Sequence, residues 1–500
     1  MLTVRKGIFN MKKNIFSKMI LSVLLVCTLF TTVACSNSDE YITKGTNLNQ
    51  EELNSSDRVT IYTYVDPENK DLHYDQDTKF YYPLLDMVHM YNNYCSLNKM
   101  GEYSVKVVSF SSRDRMIQQM STEIMAGGGP DIIILDNELP ISKLINQGAF
   151  ADMNILLKND KSERKINLDD YDKKLMDTGV YKGKRYMMPM LIEPDIYISN
   201  SALFKDYDLA TNTRLTYSNI NNKLKKFANN SNNLSLTDSY SSSKEIILQY
   251  INDNINKEDY TTDFETKKFK STIESLKKLV KKSIADTKTT KDLSKSECLL
   301  SKGTTDKETG IYTPYNFSLS HMSGYSSTQT TFTSGITEKE NQSRATISCG
   351  FMINNNSNKK EKAFEFIKYS LGERMQRFIT FDSTYGDTYN ITVNKDALNN
   401  SLSSFAYGDT YNITVNKDAI NNSLSSFAYG GTDFDEIKEQ DSFMDKYASY
   451  INSINTYEIR DGYYNDKVIG SLVDDYLQDK IPIDNFIANL NSKTKIYLYE

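Results

Sequence analysis

Two polar residues follow the most apolar strand pattern of this 500-residue chain. The stretch Met125–Asp136 reads MAGGGPDIIILD and continues with Asn137. Its run from Ile132 to Leu135 is wholly apolar and does not alternate with polar residues, which indicates a strand buried on both faces of a parallel sheet. Ligands of such sheets bind in the crevice outside the carboxyl ends of the strands. Asp136 and Asn137 are therefore candidate ligand-binding residues.

The glycines before this strand have a simpler explanation than ligand binding. Gly127 to Gly129 precede Pro130, and no lysine of a phosphate-binding loop follows them. Glycine supplies the positive φ angles of tight turns, so we expect a turn here. Asp131 is expected to accept hydrogen bonds from local backbone N–H groups and not to contact a ligand.

Strand and helix patterns alternate around this motif. They predict strand, helix, strand, helix and strand over 59–65, 82–95, 105–110, 112–124 and 132–135. In the second helix, Met116, Met120 and Ile124 share one face, and Ser112 or Asp114 can cap its start. This order predicts right-handed βαβ units around a parallel sheet, and hence an α/β fold.

Composition and metal-ligating residue types exclude several functions. The formal net charge is −6, and no basic patch with interleaved aromatic residues occurs, which argues against nucleic-acid binding. Cys95, Cys298 and Cys349 are an odd, scattered set that fits neither a disulfide framework nor a metal motif. The three histidines are not at metal-ligand spacing, and no serine-nucleophile elbow is present. We expect no metal, no cofactor and no enzyme activity.

The first residues look like an export signal. Cationic residues precede the apolar run Met19 to Phe30, which is too short for a comfortable permanent membrane span. The run ends in Thr32-Val33-Ala34-Cys35, which resembles the lipobox of bacterial lipoproteins, with Thr32 in place of the usual leucine. The resemblance implies a signal peptide over 1–34, a lipid-modified Cys35 and a flexible tether over 35–57. The protein is then anchored to the outer face of the bacterial cell membrane.

A tandem duplication interrupts the C-terminal half. Residues 385–406 recur as 407–428, and the two copies differ only at Leu398 and Ile420. Two copies are too few for a solenoid. They are either a doubled site or one structural copy followed by a surface excursion.

Several segments, taken in order, resemble one known family. MSTEIMAGGGPDIIILD, INQGAFADM, YKGKRYMMPMLIEPDIYISN and EKAFEFIKYSLGERMQ are similar to segments of the family 1 extracellular solute-binding proteins of bacterial ABC importers, which include maltose-type sugar binders. The resemblance implies a two-lobed, periplasmic-binding-protein-like α/β fold of type II, with discontinuous lobes and hinge crossovers. Lobe 1 would span 58–188 plus 340–382, and lobe 2 would span 189–339 plus 383–500.

The same resemblance implies ligand-binding carboxylates. Asp66 follows the first strand, Asp136 or Asn137 follows the third, and Glu193 lies four residues after Pro189, as in the maltose-type members. Carboxylate oxygens accept strong hydrogen bonds from sugar hydroxyls. They could equally accept an ammonium group or coordinate a cation. Structural roles are also open: a turn cap at Asp66, an Asx-turn at Asp136 and a solvated or hinge charge at Glu193.

The absence of tryptophan departs from the sugar-binding members, which often stack sugar rings on Trp. Tyrosine is also amphipathic and can stack. Tyr64, Tyr197 and Tyr325, together with Tyr315, are the candidate platforms.

The expected function is capture of a small solute, a carbohydrate above all, between two lobes. The expected partners are that solute, the permease subunits of an ABC importer and the membrane through the lipid anchor, and we expect a monomer. Two alternatives stay open, because fold does not fix function. One is a surface glycan-acting enzyme with a carboxylate pair, and the other is a ligand-sensing or adhesion lipoprotein.

Overall fold

The computed structural model describes the chain in segments: 41–42, 58–64, 81–110, 112–136, 138–162, 164–210, 213–229, 235–237, 240–256, 259, 261–286, 298–300, 330–377, 391–392, 449–450 and 452–499. Its strands are β1 (Tyr41–Ile42), β2 (Val59–Thr63), β3 (Val105–Ser109), β4 (Ile132–Ile134), β5 (Val180–Tyr181), β6 (Lys184–Arg185), β7 (Met188–Pro194), β8 (Ile196–Asn200), β9 (Ser235–Thr237), β10 (Ile255–Asn256), β11 (Thr261–Thr262), β12 (Cys298–Leu300), β13 (Thr330–Ser334), β14 (Arg344–Ile353), β15 (Ile391–Thr392) and β16 (Thr456–Glu458).

The α-helices are α1 (Tyr81–Leu97), α2 (Arg113–Met125), α3 (Ile141–Asn146), α4 (Met153–Asn159), α5 (Lys173–Asp177), α6 (Ser201–Asp206), α7 (Ile220–Lys223), α8 (Lys225–Asn229), α9 (Tyr240–Asp253), α10 (Lys267–Asp286), α11 (Lys360–Leu371), α12 (Glu373–Arg377), α13 (Gly470–Leu477) and α14 (Ile483–Tyr499). Short 3-10 turns lie at Gly101–Tyr103 and Leu168–Asp170, and a π-helical turn lies at Tyr464–Val468. None of these described helices is long and apolar enough to cross a membrane.

The main sheet is mixed, and its parallel part matches the sequence prediction. The strand order is β1-β3-β2-β4-β14-β7-β15, with β16 also beside β14. Strands β2, β3 and β4 run parallel, and all three residues of β4 are buried. On its other side β4 pairs with β14 in antiparallel register, with Phe351 opposite Ile134. The prediction of a wholly parallel environment for β4 was therefore wrong on one side.

Helix α2 forms as its sequence pattern predicts. Met116, Met120 and Ile124 are all buried against the sheet core. At its start, the Ser112 hydroxyl accepts a hydrogen bond from the Arg115 backbone N–H at 3.3 Å, which satisfies one of the unpaired donors of the first turn. The helix ends in the predicted glycine turn, where Gly127 and Gly129 have φ angles of 84° and 92°.

The described side chains pack into two hydrophobic cores. The first core draws on residues 59–196 and 345–375, with Tyr450 and Ile454, and the second on 197–336 and 464–498. The chain passes between them after Ile196, between 336 and 345, and between 454 and 464. The predicted lobe boundaries at 188/189 and 339/340 stay a prediction, because the cores show only which side chains pack together.

One copy of the duplication contributes to the sheet. Strand β15 belongs to the first copy and pairs with β7, with Ile391 opposite Ile192 and Thr392 opposite Leu191. The remaining residues of both copies lie outside the described part of the chain.

Candidate functional site

Asp136 lies at the carboxyl end of β4, where the sequence places it, and other protein groups occupy both of its oxygens. It is 6% exposed and forms a bidentate ion pair with Arg113, the first residue of α2. The Nε–Oδ2 and Nη2–Oδ1 distances are 3.2 and 2.9 Å. Oδ1 also accepts the backbone N–H of Glu138 at 2.9 Å, which is the Asx-type turn that the sequence left open. This carboxylate organises the loop that follows β4.

A series of charged side chains extends from Asp136, beside the first core, to Lys467, beside the second core. Arg113 Nη1 lies 3.6 Å from Glu138 Oε1, and Glu138 Oε2 lies 4.0 Å from Lys467 Nζ. Lys467 belongs to the π-helical turn that packs with the second core. We call Arg113, Asp136, Glu138 and Lys467 the strand-end cluster. Glu138 and Lys467 keep 30% and 57% of their side chains exposed, so they are open to a solute while Asp136 is not.

The other predicted site residues lie in different surroundings. Glu193 is on β7 opposite Thr346 and is half-buried, and its carboxylate makes no hydrogen bond or ion pair in the described part of the chain. Tyr64 follows β2, at the same sheet edge as Asp136, and packs partly buried on the first core. Tyr197 is 3% exposed within the second core, so its ring faces are covered in this conformation. Asp66, Asn137, Tyr315, Tyr325 and Cys35 lie outside the described residues.

A cavity of about 480 Å³ lies between the two cores. The first core contributes Ser142 and Asn146 to its wall, and the second contributes Asn465. Hydrogen bonds cross beside it: Ser142 Oγ donates to Asp461 Oδ2 at 2.9 Å, and Asn146 Nδ2 donates to the Leu498 carbonyl at 3.1 Å. None of the described sequence-predicted ligand residues lines this cavity.

A buried arginine anchors one crossover to the second core. Arg344, at the start of β14, is 3% exposed, and its guanidinium lies 2.8 Å from Asp253 and 3.3 Å from Glu458. Asp253 also accepts from the Tyr217 hydroxyl at 2.9 Å, and Glu458 accepts from the Gln249 amide at 2.8 Å. Burial raises the pKa of both carboxyl groups, and the positive charge of Arg344 only partly opposes this.

Sequence reasoning did not identify this cluster around Arg344, nor the strand-end role of Arg113. The only signal at Arg344 was a charge at the start of an apolar strand pattern. At Arg113 the signal was a cation beside the N-cap of α2, where the helix dipole favours anions. Neither signal predicts which carboxylate the arginine contacts.

Cys95 and Cys349 and the metal-ligating residue types of the described part of the chain were compared with the sequence predictions. No group of three His, Cys, Asp or Glu side chains in the described residues could hold a metal ion. Cys95 and Cys349 are free and buried. Burial raises the pKa of the Cys95 thiol to about 11 and that of Cys349 well above its ordinary value, so both stay protonated and unreactive.

Comparison with known proteins identifies the class. Residues 94–404 match the model of a family described as bacterial extracellular solute-binding protein. The chain belongs to this family, as its ordered motifs indicated. A search of curated proteins finds no match.

Solved structures share the fold at low identity. An ABC substrate-binding protein from Listeria monocytogenes, in complex with cycloalternan, is 15% identical with a TM-score of 0.51, covering 88% of this chain and 98% of that one. A cyclic α-maltosyl-1,6-maltose binding protein from Arthrobacter globiformis is 13% identical with a TM-score of 0.52 and the same coverage. UgpB from Mycobacterium tuberculosis, in complex with glycerophosphocholine, is 10% identical with a TM-score of 0.52, covering 89% and 99%. The predicted two-lobed α/β fold is confirmed.

Proposed function

We propose that this protein is a lipid-anchored solute-binding subunit that captures a carbohydrate between its two lobes and delivers it to an ABC importer. The observation that carries the proposal is the meeting of the two cores at the carboxyl ends of parallel strands. There Glu138 of the first core faces Lys467 of the second at 4.0 Å, and both are partly exposed. A solute bound between the two cores contacts both lobes and stabilises the closed form.

The site residues of the proposal differ from the first expectation at Asp136, Glu138 and Tyr197. Asp136 positions Arg113 and the loop after β4, because these groups already occupy its oxygens. Glu138 and Glu193 act as hydroxyl acceptors, together with Asp66 and Asn137. Tyr64 and Tyr325 supply ring contacts, whereas Tyr197 stays in the second core, where it is 3% exposed.

A carbohydrate is the best-supported ligand class. The Listeria monocytogenes protein of similar fold is in complex with cycloalternan, and the Arthrobacter globiformis protein is a cyclic α-maltosyl-1,6-maltose binding protein. The glycerophosphocholine complex of UgpB indicates that the fold also accepts a polar non-sugar solute. A test panel therefore includes both classes.

Calorimetric titration of the purified chain tests the ligand and the site together. The panel contains linear and cyclic glucans, mannooligosaccharides, glycerophosphocholine and peptides. We expect one glycan class to bind. Glu138→Gln and Glu193→Gln should each weaken it by about tenfold or more, because a hydrogen bond to a charged acceptor contributes about 1.5–3 kcal/mol. Glu274→Gln, at an exposed position of α10, serves as the matched control and should bind normally.

Two outcomes would contradict this proposal. Absence of binding by every solute in the panel would remove the transport function. Chromatography that recovered a cleaved glycan after incubation would favour the enzyme alternative over a binding protein, which returns its ligand intact.

The anchor is tested separately in cells. Labelled fatty acid should be incorporated into the wild-type chain and not into Cys35→Ala, which should also leave the membrane fraction. Retention of the Cys35→Ala variant on the membrane without label would refute the proposed lipid attachment.

A further inference from the structure

The cavity between the two cores adjoins the strand-end cluster. Helix α3 supplies Ser142 and Asn146 to its wall and begins directly after the loop that carries Glu138. On the other side, Asn465 lines the cavity and Lys467 of the cluster lies on the same π-helical turn. A solute that contacts the cluster can therefore extend into this cavity.

The charges in the cavity wall do not balance. Four carboxylates and two guanidinium groups line it: Asp177, Asp253, Glu458 and Asp461, and Arg344 and Arg460. Residues outside the wall neutralise two of these charges. Asp177 pairs with Arg185 at 3.0 Å and with an exposed lysine of its own helix, and Arg460 pairs with Glu245. The guanidinium of Arg344 therefore faces the three remaining carboxylates.

Asp461 is the one of these three carboxylates that lacks a cation. It is 4% exposed and forms no ion pair with any described residue. Its Oδ2 accepts from the Ser142 and Tyr497 hydroxyls, both at 2.9 Å, and its Oδ1 accepts from the Tyr464 N–H at 3.0 Å. A carboxylate has about four lone-pair sites, so Oδ1 can accept one more hydrogen bond. Because a buried charge without a counter-ion is costly, a cationic donor would stabilise this group.

Asp253 and Glu458 share the single charge of Arg344. Burial is the main cause of the raised pKa of both carboxyl groups, and the negative charge of Asp195 adds to it. Arg344 opposes the rise without cancelling it. A further positive charge in the cavity would favour the ionised form of both groups.

The same wall contains hydrogen-bond donors without acceptors. The Nε and Nη1 atoms of Arg344 are buried and make no hydrogen bond, although Nη1 belongs to the ion pair with Glu458. The Tyr186 and Tyr457 hydroxyls also line the cavity and bond to no described residue. An N–H donor needs an oxygen acceptor, which an ammonium group cannot supply. A ligand that suits this wall therefore carries a positive charge together with hydroxyl or ether oxygens.

An amino sugar combines these two chemistries. The cavity volume of about 480 Å³ is in the range of small-molecule sites, and Ile145 and Met187 add apolar wall for the C–H groups of a sugar ring. We propose, in an inference that rests on the solute-binding function above, that this cavity binds a cationic amino sugar. Its ammonium group donates to Asp461 and Glu458, and its ring and hydroxyl oxygens accept from Arg344.

Calorimetric titration at about pH 6.5, where a sugar ammonium keeps its proton, tests the proposal. The probes are the β-1,4-linked disaccharides of glucosamine, N-acetylglucosamine and glucose, whose units differ only at carbon 2. The glucosamine disaccharide should bind about tenfold or more tightly than either neutral one, because a hydrogen bond between ionised partners is about twice as strong as a neutral one.

Asp461→Asn and Glu458→Gln should each remove most of this preference, because each exchanges a carboxylate for a neutral amide of similar size. Affinity for the glucosamine disaccharide should fall about tenfold, and affinity for the neutral disaccharides should change much less. Glu274→Gln, at an exposed position of α10, is the control and should keep the full preference. Urea unfolding of each variant verifies that it is folded.

Three results would overturn the amino sugar assignment: no heat with the glucosamine disaccharide, equal affinities for the glucosamine and glucose disaccharides, or an undiminished preference in both folded carboxylate variants. With any of these results, the transport function still stands if a neutral glycan of the earlier panel binds. Absence of binding by these disaccharides and by every solute of that panel would contradict both proposals. The two failures are therefore distinguishable.

Discussion

Two carboxylates flank β4, and the protein uses both internally. Asp131 precedes the strand and accepts from the backbone N–H and hydroxyl of Thr60 at 2.8 and 2.9 Å and from the Ser357 hydroxyl at 2.6 Å. The sequence predicted that Asp131 accepts hydrogen bonds from local backbone N–H groups and does not contact a ligand. Its backbone donor, Thr60, is instead 71 residues away in the sequence. Asp136 follows the strand and pairs with Arg113. A pattern can place a carboxylate at a strand end, but it cannot show which distant cation reaches it.

Removal of the Asp131 carboxylate should destabilise the fold without altering solute affinity. Asp131→Ala leaves the Thr60 and Ser357 donors without their acceptor, and breaking such a buried charged network typically costs about 3 kcal/mol. Urea unfolding measures the loss, and Asp206→Ala, at an exposed carboxylate, should stay within about 0.5 kcal/mol of wild type. A folded Asp131→Ala protein that has lost only glycan affinity would mean that Asp131 is a ligand residue.

At the scale of elements, the spacing of apolar residues predicted the helices and strands whose buried side chains recur at regular intervals. Helix α2 and strands β2, β3 and β4 agree with their predicted spans to within a few residues. The partner of β4 could not be predicted in this way, because β14 comes from more than 200 residues later and its direction depends on the crossover. The register shifts around Cys349 in the β14–β7 pair also have no sequence signal, since a bulge is set by the neighbouring strand.

Close backbone approach at Gly179 should make this position intolerant of any side chain. A Cβ there would lie 2.0 Å from the Met187 carbonyl oxygen, and the Gly179 carbonyl accepts from the Tyr186 N–H at 2.9 Å. Gly179→Ala must therefore move the β5–β6 hairpin away from β7, and we expect a loss of about 3 kcal/mol in unfolding free energy. Gly128→Ala is the control, because its Cβ would make an ordinary 3.6 Å contact. Equal stability of the two variants would show that the hairpin adjusts freely.

Deletion of residues 407–428 should leave the fold intact. The retained copy keeps Ile391 and Thr392, which form β15 beside β7. Shortening a connection in the chain also changes closure entropy little, since a doubling of loop length costs only about 0.6 kcal/mol. We expect the midpoint of urea unfolding and the glycan affinity to match wild type. Loss of glycan binding by a folded deletion protein would instead support a doubled site.

At the scale of the whole molecule, the family resemblance predicted two lobes, but not how the lobes are tied together. Arg344, Asp253 and Glu458 lie far apart in sequence and meet only where β14, α9 and β16 converge. Hydrophobic patterns carry no information about such a meeting, because each charge alone resembles a solvated residue. The same limit applies to Lys467 and Glu138, which join the two cores at the strand ends. The lobe-joining charges are therefore visible only in the folded chain.

The partly buried carboxylates beside Arg344 should make stability depend on pH in a defined direction. Burial raises the pKa of Glu458 in the folded protein, so the folded state binds this proton more tightly than the unfolded chain, whose pKa is about 4.3. The resulting stabilisation is fully present below the unfolded pKa and is lost as the pH rises through the folded value. The Glu458→Gln variant has no carboxyl group at this position, so its stability lacks this decrease with rising pH.

The measurement is urea unfolding of wild type and Glu458→Gln between about pH 4 and pH 8. The unfolding free energy of wild type minus that of the variant should decrease as the pH rises and then become constant. The same subtraction with Glu274→Gln, an exposed residue, should be nearly independent of pH and so corrects for the common titration of other groups. A wild-type advantage that grows with pH would mean that the pairing with Arg344 outweighs burial, and that the folded state prefers the ionised carboxylate.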